Sequence, residues 1–134
     1  MKKEDKELLL KDLCARLTYN PMVEYKGETY NVLGITHGRL VLCKPFMSYT
    51  LDECPIVKEV KPYLFPLSNM TEEQKEEYRM VCELDTEILS KHPMDGSPFP
   101  ALYNSQDWLN AHHFDYRGLI EKGLAIDATE LNIY

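Results

Sequence analysis

The chain has 134 residues, 44% of them hydrophobic and 28% charged, with a formal net charge of −7. That size suits a single domain able to bury roughly two-thirds of its unfolded surface, and the composition excludes a chain that stays disordered. The acidic balance argues against nucleic-acid binding, which needs clustered Lys and Arg to neutralise phosphates.

The N-terminal stretch offers only Leu8, Leu9 and Leu10 before Lys11 and Asp12. A signal peptide needs an apolar core of roughly 7–15 residues, and no apolar run approaches the roughly 20 residues of a membrane span. A cytoplasmic location, with no membrane partner, is therefore expected. Leu9, Leu10, Leu13, Cys14 and Leu17 recur at helical spacing and predict a first helix over residues 4–17. Asn20-Pro21 ends it, because Pro disfavours helical backbone in the residue before it.

The period then changes. Val23-Glu24-Tyr25 alternates, Lys26-Gly27 and His37-Gly38 are turn signals, and strands are expected over 29–36 and 39–43, with another near 56–61. Short curled strands at this spacing suggest a small antiparallel, barrel-like sheet, SH3-like in shape. Pro62 and Pro66 flank Tyr63, Leu64 and Phe65, which predicts an extended segment crossing between layers.

Thr71 with Gln74 three residues later is a capping box, and Glu72 and Glu73 suit the positive end of a helix dipole. A second helix is expected over about 72–90, with Tyr78, Val81, Cys82, Ile88 and Leu89 buried. Pro93, Gly96, Pro98 and Pro100 mark a loop at 91–104. Ser105 is expected to cap a short helix carrying Trp108, and Asp115 a last helix with Leu119 and Ile120 on its apolar side. Gly123-Leu124 reads as its stop. The expected fold class is α+β in one domain over 1–134: a helix (1–20), a small sheet (21–67) and a helical part (68–134) packed against it.

Candidate chemistry is sparse. Cys14, Cys43, Cys54 and Cys82 form no CxxC pair, so neither a zinc site nor a dithiol motif is indicated and four reduced thiols are expected. His112-His113 with Asp115 is the most reactive-looking cluster. Adjacent helical histidines point about 100° apart and lack HExxH spacing, so capping and packing roles are expected in place of metal binding. His37 and His92 would have to supply any further ligands. There is no G-x-S-x-G and no phosphate-cradling loop. Neither a metal nor a cofactor is expected, and no catalytic residue is assigned.

Arg117 can clamp a phosphate or carboxylate with its planar fork, or pair with Asp115 or an acid of the second helix. The structural role is the stronger reading. Gly118 within a helical pattern suggests close packing. Trp108 reads as core. The nine tyrosines divide between amphipathic core and binding surface. Residues 71–91 hold seven acids against three bases. Glu72, Glu73, Glu76, Glu77, Glu83 and Glu87 then form either a solvated helix face or a docking face for a basic partner.

Three blocks carry a resemblance: Leu10 to Leu17; Val60 to Leu67 leading into Met70-Thr71-Glu72-Glu73-Gln74; and Asp107 to Asn110 continued by Phe114 to Ala125. Through them the chain resembles a family of short uncharacterised proteins of gut Bacteroidales and their prophages and mobile elements. The resemblance implies a mobile-element context and carries no catalytic residue across. The expected function is a non-enzymatic binding or regulatory protein acting through contacts with another protein. Glu76, Glu83, Tyr116 and Arg117 are its candidate partner-binding residues. A small-ligand binder with a pocket between sheet and helices, using Tyr side chains and Arg117, is the alternative. An enzyme without a recognisable motif is the second.

Overall fold

A computed structural model describes residues 2–37, 39–44, 56–91 and 105–134, with the backbone alone over 84–91. The Pro-rich segment after Lys91, Gly38, Cys54, His92 and the side chains of Glu87, Ile88 and Leu89 lie outside the described residues.

Helix α1 spans Lys3–Arg16, with Glu4 and Asp5 in its first turn and Arg16 in its last, as the helix dipole favours. Its buried stripe is Leu9, Asp12, Leu13 and Arg16. Relative to the leucine-only pattern the stripe is rotated: Cys14 faces solvent, and Leu10 and Leu17 are half-buried. A 3-10 turn over Leu17–Tyr19 follows, and Asn20 ends it in left-handed backbone (φ 55°) before Pro21.

Strands β1 (Met22–Tyr25) and β2 (Glu28–Thr36) form a hairpin pairing Val23 with Tyr30. Lys26 and Gly27 both take positive φ (50° and 78°), the requirement of a type I′ turn matched to strand twist. Strand β3 (Arg39–Cys43) pairs with β2, with a register shift between Val32 and Gly34. A 3-10 turn over Val57–Glu59 leads into β4 (Val60–Pro66), antiparallel to β1 with Val23 opposite Pro62. The order β4-β1-β2-β3 is that of a Greek key.

The strand expected near 56–61 thus starts later and absorbs the segment read as a crossing. Both prolines fall where their missing N–H is tolerated. Pro62 is the last residue paired with β1, and Pro66 closes the strand.

Helix α2 (Glu72–Lys91) starts at its capping box. Gln74 N–H donates to Thr71 Oγ1 at 3.1 Å, and Thr71 N–H to Gln74 Oε1 at 2.9 Å. Helix α3 (Ser105–Ala111) carries Trp108, which is fully buried. Two short strands, β5 (Phe114–Asp115) and β6 (Ile126–Asp127), run parallel to β4. The sheet is therefore mixed and not closed. The antiparallel expectation holds for β1 to β4, and the sheet becomes mixed because β4 changes partners along its length; the barrel-like closure is not seen among the described residues. β1 takes its first half, β6 pairs at Tyr63 and Leu64, and β5 at Phe65 and Pro66.

The helix expected after Asp115 is instead a single turn. Gly118 and Gly123 both sit at φ 74°, in left-handed backbone that bounds it at each end. A Cβ at Gly118 would meet nothing within 4 Å, so backbone conformation, and not close packing, calls for glycine there. Leu124 N–H bonds to Leu119 C=O (2.9 Å) and Gly123 N–H to Ile120 C=O (3.0 Å), the pattern of a Schellman stop.

The main core joins Leu9 and Leu13 of α1 to Val23, Leu40, Leu42, Val60 and Leu64 of the sheet, with Leu119 and Leu124 of the C-terminal turn. A second cluster of Trp108, Leu109 and Phe114 takes Tyr78 and Val81 of α2, both half-buried. Helix on sheet around these clusters makes the fold α+β. Among the described residues no helix is long and apolar enough to cross a membrane.

Candidate functional site

The chemistry-bearing side chains gather where α1 meets the C-terminal turn. Asp12 and Arg16 lie one turn apart on the buried stripe, and both are fully buried. Arg16 Nε donates to Asp12 Oδ2 at 2.9 Å, and its Nη2 to the Phe114 carbonyl at 2.6 Å. Arg117 Nη1 donates to Asp12 Oδ1 at 2.8 Å and to the Tyr116 hydroxyl at 2.8 Å. Tyr116 in turn donates to Asn110 Oδ1 at 2.9 Å. The Tyr116 ring lies under both cations, 5.3 Å from the Arg16 guanidinium carbon and 4.6 Å from that of Arg117.

One carboxylate thus answers two guanidiniums, and the Arg16–Phe114 and Arg117–Asp12 bonds tie α1 to the C-terminal block. Among the described residues Arg117 pairs with Asp12 and not with Asp115 or an α2 acid. Asp115 is occupied otherwise: its two oxygens accept the N–H groups of Leu119 (2.9 Å) and Ile120 (3.0 Å). Asp12 and Arg16 are not among the residues singled out from the sequence alone. The available signal was their i, i+4 spacing in phase with Leu9 and Leu13.

His112 and His113 lie in the turn after α3, not on it. The His112 ring stacks on Trp108 (centroids 4.0 Å) with Nδ1 2.8 Å from the Trp108 carbonyl. Only the N–H tautomer of that nitrogen can make the bond. His113 takes left-handed backbone (φ 61°) and stacks on Tyr134 (centroids 3.6 Å). The two rings pack on different partners. Among the described residues no group of three or more His, Cys, Asp or Glu side chains is placed to hold a metal. Among the described residues, Cys14, Cys43 and Cys82 form no disulfide with one another.

Glu76 and Glu83 stand on the exposed face of α2, bracketing Arg79, which pairs with both. The Arg79 hydrogen bond holds the Glu76 carboxyl below the usual carboxylate range. Glu72 pairs with Lys75 at 3.1 Å, and Met80, half-exposed, stands among the acids. Glu77 departs from the outer set, since it accepts the Trp108 indole N–H at 3.0 Å. The structure therefore separates the four candidate partner-binding residues. Glu76 and Glu83 are exposed on α2, while Tyr116 and Arg117 are half-buried beside α1.

A cleft of about 300 Å³ opens between the β4–β5 edge and the helices. Phe65, Asn69, Gln74, His112, Phe114 and Thr129 line it. Arg117 and Tyr116 are not among them.

No family model, no curated protein and no solved structure matches the chain.

Proposed function

We propose that this chain is a non-enzymatic binding or regulatory protein, of prophage or mobile-element origin, that acts through contacts with a basic partner protein. The observation that carries this reading is the division of labour among its charged groups. The reactive-looking block at Phe114–Leu124 spends its Asp, Arg and Tyr side chains on internal bonds. The exposed face of α2 presents Glu72, Glu73, Glu76 and Glu83 around Met80. Arg79 and Lys75 offset only part of that charge, and complementary charge steers encounter with a basic surface. The mobile-element context rests on the resemblance of the three sequence blocks.

The test uses the full chain and its Glu76→Lys/Glu83→Lys variant as baits for a Bacteroidales lysate. Capture is run at about 10 mM and about 1 M ionic strength, where screening lengths are about 30 Å and about 3 Å. A basic protein held by the wild type at low salt, and lost from the variant and at high salt, is the expected result. Equal capture by both baits at both salts contradicts the reading.

A second reading, a small-ligand binder, is favoured by the cleft between sheet and helices. Its size is at the low end of ligand pockets, and it combines two Phe rings with Asn69, Gln74 and His112. A ligand-observed NMR screen in which hits shift the His112 ring resonances is its test; a screen without such hits removes it.

A further inference from the structure

The register of β1 on β4 runs Tyr25–Val60, Glu24–Lys61 and Val23–Pro62, so the next rung would pair Met22 with Tyr63. The ladder does not continue there. The Tyr134 hydroxyl takes the place instead, accepting the Met22 N–H at 2.9 Å and donating to the Tyr63 carbonyl at 3.1 Å. One phenol thus bridges the Met22 N–H and the Tyr63 carbonyl, which do not meet directly.

Tyr134 arrives at the end of a short segment anchored at Ala128, whose N–H bonds to the Leu64 carbonyl at 2.9 Å. Beyond that anchor, Leu131 and Asn132 are exposed, Ile133 is half-buried, and Tyr134, 43% exposed, docks by its hydroxyl and one ring face. Ile133 packs on Met22, Tyr63 and Ala128, and the Tyr134 ring lies 5.9 Å from Phe65. The ring's closest neighbour is His113, stacked at 3.6 Å with planes 10° apart. His113 Nδ1 is buried without a hydrogen-bond partner. The charged and titratable groups around the stack are Arg16 and Asp12 of α1, His112 of the same turn and Tyr63 of β4.

We propose that residues 131–134 are a strap latched by the neutral His113 ring, and that acid releases it, uncovering the Met22–Tyr63 rung. Protonation puts a cation under the strap with no acceptor at Nδ1 and the Arg16 guanidinium beside it. The face of the Tyr134 ring attracts a cation, but burial and Arg16 outweigh it, pushing the His113 imidazole down to about 4. Lifting Tyr134 returns one face of the imidazole to water and its affinity for a proton toward the ordinary 6.5. Proton binding and strap opening are therefore linked. Between those limits the opening equilibrium gains up to roughly 20-fold at pH 5 relative to neutral pH.

The experiment is amide hydrogen exchange by NMR on the full chain from neutral pH to below the His113 value of about 4, corrected for intrinsic exchange, with Trp108 fluorescence as monitor of the global fold. The Met22 amide is expected to lose protection by about tenfold or more while Leu42 and Leu64 keep theirs. Its pH midpoint should follow the titration of the His113 ring in the same samples. His113→Phe keeps the stack and cannot titrate, and His113→Asn tolerates left-handed backbone and cannot titrate; in either, Met22 protection should no longer depend on pH. Three outcomes refute the latch. They are an unchanged Met22 response in these variants, loss of Met22 protection only together with Leu42 and Leu64, or Met22 protection that stays constant while His113 titrates.

Discussion

Arg117 reaches back across 105 residues of sequence to donate to Asp12 at 2.8 Å, fastening the C-terminal turn to the first helix. The carboxylate it meets is fully buried and already bonded to Arg16. Removing one partner of such a cluster leaves charge uncompensated in a poorly solvated place. Asp12→Ala should therefore cost about 3–5 kcal/mol. Arg117→Ala should cost less, because the Arg117 side chain keeps 12% of its surface exposed. Denaturant unfolding of both singles and the double variant checks this. The double should be more stable than the sum of the two losses predicts, since the pair is directly coupled.

The C-terminal turn depends on Leu119 and on its two glycines. Leu119 is fully buried in the main core, so Leu119→Ala should cost about 2–5 kcal/mol. Gly118→Ala and Gly123→Ala force an L side chain into left-handed backbone and should each cost about 1–2 kcal/mol, although neither Cβ would clash. Thermal melts of the three variants distinguish packing loss from backbone strain. Asn, which tolerates that conformation, should recover part of the loss at either glycine and none at position 119.

Helix α2 starts on the reciprocal bonds of Thr71 and Gln74. Thr71→Ala should cost about 0.5–2 kcal/mol, and Thr71→Ser almost nothing. Amide exchange of the first turn of α2 should rise in the Ala variant ahead of exchange in the sheet.

Tyr134 sets an alkaline limit on stability. Burial pushes its phenol up to about 12 from the ordinary 10. A group raised in the folded state contributes stability that is complete below 10 and is lost as pH rises toward 12. His113 acts at the other end: its lowered value gives stability that is complete above 6.5 and is lost as pH falls toward about 4. Melting temperatures between pH 4 and pH 12 should fall at both ends. Tyr134→Phe should flatten the alkaline limb only, and His113→Asn the acid limb only.

Much of the fold is legible wherever a periodic pattern or a turn signal governs a whole element. The presence of α1 with Leu9 and Leu13 buried, the Lys26-Gly27 hairpin, the Thr71–Gln74 capping box, buried Trp108 and the Gly123-Leu124 stop all follow from local chemistry. What escapes is set by tertiary partners. Strands β5 and β6 have two residues each, too few to show a period, and exist because β4 offers free backbone beyond its pairing with β1. Asp115 caps backbone N–H groups as expected, yet only one turn follows, since Gly123 leaves helical backbone before a second can form. Arg117 was visible as an anion-seeking side chain. Its anion was not, because Asp12 comes beside it only when α1 packs on the C-terminal turn, 105 residues away in sequence.

The account's central claim is that this protein works by binding, through the exposed acids of α2, while its buried charge cluster serves the fold. Association kinetics of the full chain with its captured basic partner, at low and high salt, test this most directly. The account predicts that the on-rate falls about tenfold or more both with added salt and in Glu76→Lys/Glu83→Lys, with little change in off-rate and no loss of melting temperature. An on-rate indifferent to both salt and charge reversal would return the α2 face to a merely solvated surface and contradict the claim.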